Sequence, residues 1–287
     1  MQNLRGRALE YAIVAEIIQR LPQNQINLTQ RTLQNQQRDL PKYLHLSVNM
    51  QQNYQQCSAR IFQWLDSNFA ISTQPLSIDR LPDKNSQQGD VTDIRIVMGS
   101  QEINLSVKHN HSALKHQRPA STAQHCGYTK GSPEDIQFRT DYNNITTAFT
   151  TTVQGDTYFR DLDNGVVLTL LYIPICTLVT EFINSFCSSP ISASHLFSFL
   201  VGRIDFYKII FYESQNLLLV QDFRKPPFVN SVTAQSDQSY AHLQFSNAWK
   251  ISMRLHTASS RITSNPSLKF DTNLDSSIVV PQQQFTL

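Results

Sequence analysis

What is scarce in these 287 residues sets the first bounds. Cysteine occurs four times, at Cys57, Cys126, Cys176 and Cys187. The spacing is not the short paired one of a zinc site, and no secretory signal is evident, so reduced thiols in a cytoplasmic protein are expected. A long unbroken apolar run is also lacking. The most apolar stretch, Val166 to Cys187, is interrupted by Pro174, Glu181 and Asn184; it reads as a strand followed by a buried helix, not as a membrane span. No internal repeat is visible. Charge is sparse, at 16% of residues with a formal net of +2, so the overall field does not mark a nucleic-acid binder, and any phosphate-binding surface must be local.

Two windows supply that surface by lacking acids. From Ile103 to Pro133 there is no Asp or Glu, while Lys108, Lys115, Arg118 and Lys130 are present with four histidines; from Gln238 to Phe270 the same holds for Lys250, Arg254, Arg261 and Lys269. What the chain has in plenty is apolar material, 40% hydrophobic residues with 16 phenylalanines, enough for a packed core. The length suits one large α/β unit. We expect residues 1–287 to form a single unit, divided near residue 187 into a core over about 1–187 and further elements within 188–287.

Local patterns give the elements. Ile13, Val14, Ile17, Ile18 and Leu21 have the spacing of one helix face, over Ala8 to Leu21 with Pro22 as its stop. Glu10 heads that stripe, and a carboxylate facing a core requires a cation, a metal or a proton. Gln23 to about Gln56 is rich in Gln and Asn and reads as loop; Ile61 to Phe69 reads as a short helix. Leu81 to Ser86 is a loop, and Asp93 to Val97 and Ile103 to Lys108 form a hairpin about Gly99-Ser100. Ser192 to Leu200 is expected to be helical. Asp205 to Tyr212 and Leu217 to Phe223 are strands meeting near Gln215-Asn216, and Pro226-Pro227 breaks the pattern. Alternation over Ile251 to His256 puts Ile251, Met253 and Leu255 on one face and Arg254 and His256 on the other.

The hairpin carries the chemistry. Alternation places Asn104, Ser106 and Lys108 on one face, and a turn at Gly99-Ser100 sets Asp93 across from Ser106, with Lys108 its diagonal neighbour. A carboxylate that holds Mg²⁺ and a lysine beside it suit phosphodiester hydrolysis. Glu102 lies roughly 20 Å from Lys108 along the strand at about 3.3 Å per residue, too far to share an ion. The spacing does not identify a second carboxylate for the ion; Glu10 and Asp90 are the candidates.

Gly89-Asp90-Val91-Thr92-Asp93-Ile94, then Glu102 through His111 and Ala113-Leu114-Lys115-His116, resembles the active-site block of the HaeIII-type restriction endonucleases. So do Gly6 through Ala12, Leu200 through Ile209, Arg254 through Arg261, and Pro266 through Asp271, in the same order, so the likeness spans nearly the whole chain. The resemblance implies an α/β fold with a PD-(D/E)xK core, a mixed sheet flanked by helices with β-rich C-terminal elements. It further implies Mg²⁺-dependent cleavage of double-stranded DNA within GGCC. Asp93, Lys108, Glu10, Asp90 and Ser106 are then the catalytic positions, with Asp93, Glu10, Asp90 and Val107 on the metal. The acid that the superfamily pattern puts two residues before the lysine is here Ser106, a serine shared with this family.

For DNA contacts the candidates are Asn110, which follows Lys108, His111, Lys115, Arg203 and Lys208, with Arg254, His256, Ser259, Ser260 and Arg261 for base reading, since arginine matches guanine bidentately. A homodimer fits a palindromic site, and a DNA methyltransferase in the same cell is the functional partner that the family's biology implies. The competing class is a catalytically silent DNA-binding protein of the same fold, against which the retained Asp93 and Lys108 speak. His109-Asn110-His111 spells HNH without the spread of residues an HNH nuclease needs. His116, His125 and Cys126 lack a fourth zinc ligand.

Overall fold

The computed structural model describes residues 2–82, 89–154, 157–224 and 228–287, with side chains from residue 4 onward. Most of the loop expected over Leu81 to Ser86, and the Pro226-Pro227 break, lie outside the described residues. In chain order the elements begin α1 (Gln2–Arg20), β1 (Ile26–Leu28), α2 (Gln30–Leu44), α3 (Val48–Phe69), β2 (Leu76–Arg80), β3 (Ile94–Met98) and β4 (Gln101–His109). They continue with β5 (Lys115–Gln117), α4 (Thr122–His125), α5 (Pro133–Thr152), α6 (Asn164–Val167), α7 (Ile173–Phe186) and α8 (Pro190–Val201). The rest is strand: β6 (Phe206–Tyr212), β7 (Leu217–Phe223), β8 (Val232–Asp237), β9 (Tyr240–Phe245), β10 (Lys250–Thr257), β11 (Leu268–Leu274) and β12 (Gln282–Thr286).

These elements form two compact units that interleave along the chain. The first comprises Met1–Ser112, Gly202–Pro226 and Val280–Leu287, the second Ala113–Val201 and Pro227–Val279. The expected division near residue 187 falls inside the second unit.

The first unit is a seven-stranded mixed sheet in the order β1-β2-β3-β4-β6-β7-β12. β1 pairs parallel with β2, and β4 parallel with β6; the other pairs are antiparallel. One face of the sheet is closed by α1 and α3, whose Leu9, Ile13, Ile17, Tyr54, Ile61 and Leu65 pack with Ile78, Ile94, Ile96, Leu105, Ile209 and Phe211 in one core. Each such buried aliphatic side chain contributes about 1.5–3 kcal/mol. The helical stripe read from Ile13 to Leu21 is the buried one. β4 is buried on both faces, Asn104 and Ser106 included, so the polar side of its alternation does not face solvent.

The Gln-rich stretch is not loop. α2 and α3 occupy most of it, started by Thr29, whose side chain accepts from the Thr32 N–H, and by Ser47, which accepts from the Met50 N–H. Polar composition hid an amphipathic pattern, because only one narrow face of α2 is buried.

The second unit holds a five-stranded antiparallel sheet in the order β5-β11-β10-β9-β8. Ile251, Met253 and Leu255 face its core, as the alternation requires, while Arg254 is exposed. Where a strand and a helix were expected over Val166 to Cys187, the chain is helical throughout, α6 passing through a π-helical turn, Leu168–Tyr172, into α7. The β-branched start suggested a strand, but the Asp163 side chain accepts from the Gly165 N–H and opens a helix instead. This helix is long and apolar enough to cross a membrane. Its Ile175, Val179 and Ile183 are buried, and the Asn184 amide donates to the Ala234 carbonyl and accepts from the Ala234 N–H, which docks it on the edge strand β8.

Candidate active site

The site is built at the head of the hairpin in the first unit. Gly99 takes φ 55° in the two-residue turn between Met98 and Gln101, a conformation that costs a glycine little. With Ile94 opposite Leu105, the register continues to place Asp93 opposite Ser106. Asp93 is fixed from both sides: its N–H donates to the Leu105 carbonyl (2.8 Å) and its carbonyl accepts from the Leu81 N–H (3.0 Å).

The Asp93 carboxylate accepts from the Val107 N–H at 2.7 Å and lies 3.4 Å from the Lys108 ammonium, both through Oδ2. Lys108 and Asp93 are partly exposed, at 21% and 19% of their side-chain surface, so a phosphate can reach them. Ser106 is buried and sits in parallel register with Lys208. The Val107 side chain packs in the core, so its carbonyl is the group it can offer to a ligand.

Glu10 reaches this region from α1. It is buried, its Oε2 accepting from Arg80 at 2.8 Å and from Arg7 at 3.0 Å. Burial, and then repulsion from the nearby Asp93 carboxylate, push its pKa above the usual range, opposed by Arg80 and Arg7. The stripe on α1 thus delivers a carboxylate beside Asp93, with arginines as the cations it requires.

Asp90 is used differently. One oxygen accepts from the Thr92 N–H (3.1 Å), closing a turn, and the other pairs with Arg95 at 2.9 Å. Glu102 is 3.2 Å from the same Arg95, away from Lys108.

Among the described residues, no three His, Cys, Asp or Glu side chains converge as a ready-made metal cage. What is present is two carboxylates and a backbone carbonyl, an all-oxygen donor set. Mg²⁺ is commonly held in this way, by one or two carboxylates with water and substrate phosphate, so the residues fit that ion.

Of the expected DNA contacts, several are placed elsewhere. Lys208 is 2% exposed; its ammonium donates to the Ser112 carbonyl, and burial, then the neighbouring Lys108, lower its pKa to about 7. Lys115 is 8% exposed, donates to the Phe199 carbonyl at 2.8 Å and lies over that ring. Neither ammonium is offered to solvent, because each strand turns it inward. Asn110 does not continue the strand: at φ 58° it is left-handed, and its side chain accepts from the Glu213 N–H. His111 is half-buried. Arg203, Arg254, Ser260 and Arg261 are exposed. The Ser259 hydroxyl accepts from the Arg261 N–H, and His256 lies 2.9 Å from Asp271.

Sequence reasoning passed over Arg80 and Asp39. The signal was available: Leu76, Ile78 and Arg80 alternate along β2, so Arg80 shares the apolar face.

No solved structure matches this chain. Type II restriction enzyme HaeIII of Haemophilus aegyptius is 26% identical over 314 residues, covering 95% of this chain and 93% of its own length. The HaeIII restriction endonuclease family profile matches residues 6–237, a span that contains Glu10, Asp93 and Lys108. The chain therefore belongs to the HaeIII restriction endonuclease family, and with it to the type II site-specific deoxyribonucleases.

Proposed function

We propose that this enzyme hydrolyses both strands of DNA within GGCC in a Mg²⁺-dependent reaction at a PD-(D/E)xK-type centre made of Asp93, Lys108 and Glu10. The observation that carries the reading is the Asp93 carboxylate held 3.4 Å from the Lys108 ammonium at a partly exposed strand end, with Glu10 alongside.

Asp93 and Glu10, with the Val107 carbonyl, would hold the ion; when bound, Mg²⁺ supplies charge stabilisation at the phosphate and acidifies water. Lys108 orients the attacking water and offsets charge on the phosphate. Asp93 keeps that ammonium in place and is itself aligned by the Val107 N–H. Glu10 is favoured over Asp90 as the second carboxylate because both Asp90 oxygens are engaged by Arg95 and the Thr92 N–H. Arg254 and Arg261, exposed on β10 and just after it, are suited to guanine edges. A palindromic target is served by a homodimer with two symmetric centres, and a cytoplasmic setting with a protective DNA methyltransferase completes the reading.

The test is digestion of one DNA of known sequence with and without Mg²⁺, using wild type, Asp93→Ala and Lys108→Ala. GGCC-spaced fragments from wild type alone, with DNA binding retained by both variants, are the expected result. Cleavage by either variant at the wild-type rate would sink the assignment.

A further inference from the structure

We propose that Arg80 is a positioning residue of the cleavage centre: its wholly buried guanidinium on β2 clamps Glu10 to Asp39 and so fixes the Glu10 carboxylate beside Asp93. The inference rests on the reading of Glu10 as a metal ligand.

Arg80 has no exposed surface and lies on the same face of β2 as Leu76 and Ile78. A guanidinium there costs several kcal/mol in lost hydration unless its donors are met. Those of Nη1 and Nη2 are engaged from two helices. Nη2 donates to Glu10 of α1 and to Asp39 of α2, each at 2.8 Å, and Nη1 donates to Gln36 of α2 at 2.9 Å. Its backbone is held as well, the N–H by the Thr32 hydroxyl and the carbonyl by the Asn35 amide. Asp39, fully buried, is anchored in turn by Arg38 (2.7 Å) and Lys42 (2.7 Å). Among the described residues, Arg80 Nε alone of its nitrogens lacks a partner.

Stability alone does not call for such a network, since well-packed apolar residues of similar volume serve as well or better. An apolar residue cannot fix an anion at a chosen point. The next residue makes the purpose plain: the Leu81 N–H donates to the Asp93 carbonyl. Consecutive residues at the end of β2 therefore locate both carboxylates of the centre, Arg80 through the Glu10 side chain and Leu81 through the Asp93 backbone. β2 acts as a ruler between them, and Arg80 is the arm that reaches α1.

The experiment compares wild type, Glu10→Gln, Arg80→Met, Asp39→Asn and the double variant of Glu10 and Arg80. Ile17→Val serves as a core control of lowered stability. Three quantities are read: the thermal midpoint, Mn²⁺ binding without DNA, and the Mg²⁺ concentration at half-maximal cleavage. Loss of an outer partner of a metal ligand weakens metal affinity about 10–100-fold. A shift of that order is expected for Arg80→Met, with a smaller one for Asp39→Asn and none for Ile17→Val. The double variant should add little to Glu10→Gln, because both act through one carboxylate. Where Arg80→Met does not fold, Asp39→Asn decides. Wild-type metal binding in a folded Arg80 or Asp39 variant, with Glu10→Gln shifted, overturns the inference and leaves the centre standing. An unshifted Glu10→Gln removes Glu10 from the centre, and this inference with it.

Discussion

Lys115 and Lys208 show what a basic residue does when a strand turns it inward. Burial lowers the Lys115 pKa from 10.5 to about 7, with the Phe199 carbonyl and ring as its partners. Between those two values the unfolded chain binds a proton that the folded chain does not, so stability should rise with pH from about 7 to about 10.5 and be lowest, on this account, below pH 7. Lys115→Met should flatten that rise, which thermal melts at pH 6 and pH 9 would register; an unchanged pH profile would mean the site stays hydrated. The exposed arginines behave otherwise. Arg254→Ala or Arg261→Ala should weaken binding to the specific site by about 1–3 kcal/mol if a guanine is read, with a smaller loss on unrelated DNA, as titrations of both would report. His256→Ala should matter less, since its ring is already engaged with Asp271. At this scale the placement of Asp93 beside Lys108, and of Glu10 on the buried face of α1, was legible in the sequence, because alternation and helical spacing settle which face a residue takes. The inward Lys115 and Lys208 were not, since a lysine turned to the buried side of its strand looks from sequence like one turned to solvent.

Elements are decided by their ends as much as by their faces. α2 and α3 lie in sequence that composition alone assigns to loop, yet Thr29 and Ser47 satisfy the first free N–H groups of each helix through their side chains. Removing such a cap costs about 1 kcal/mol, and Thr29 carries more than a cap: its hydroxyl also donates to Asp79 on β2 at 2.8 Å. Thr29→Ala should therefore lower the thermal midpoint more than Ser47→Ala; equal shifts would reduce Thr29 to an ordinary cap. The hairpin about Gly99-Ser100 and the alternating β10 could be read directly from their two-residue period, and the strands over Phe206–Tyr212 and Leu217–Phe223 from strand-prone runs divided at Gln215-Asn216. The helix through Val166 could not, because its β-branched start imitates a strand and only Asp163, three residues before it, marks a helix cap.

The whole molecule is harder to read from sequence because its units are assembled from distant pieces. β4, which bears Lys108, has β3 on one side from the adjacent hairpin and β6 on the other, paired in parallel from Leu105↔Tyr207 to His109↔Phe211. That second pairing joins residues about one hundred positions apart, and no local pattern encodes it. The second unit's strands are likewise split, β5 before residue 120 pairing with β11 at Phe270 to Thr272. A fragment ending at residue 187, where a catalytic core might be cut from the sequence, lacks β6, β7 and β12. It would leave β4 as an unpaired sheet edge, with its backbone groups and the apolar faces of Leu105 and Val107 uncovered. Its second-unit remnant would hold β5 without β11. Such a fragment should show no cooperative thermal unfolding and should aggregate, whereas the full chain melts sharply. Restoring residues 188–287 on a separate chain, co-expressed with it, should recover soluble protein and Mg²⁺-dependent cleavage, because the missing strands supply pairing that does not depend on the covalent link. A fragment 1–187 that unfolds cooperatively on its own would show that the hairpin and the α1–α3 layer suffice to hold Asp93 and Lys108 together, and that the parallel β4–β6 pairing is an accessory to the site rather than its support.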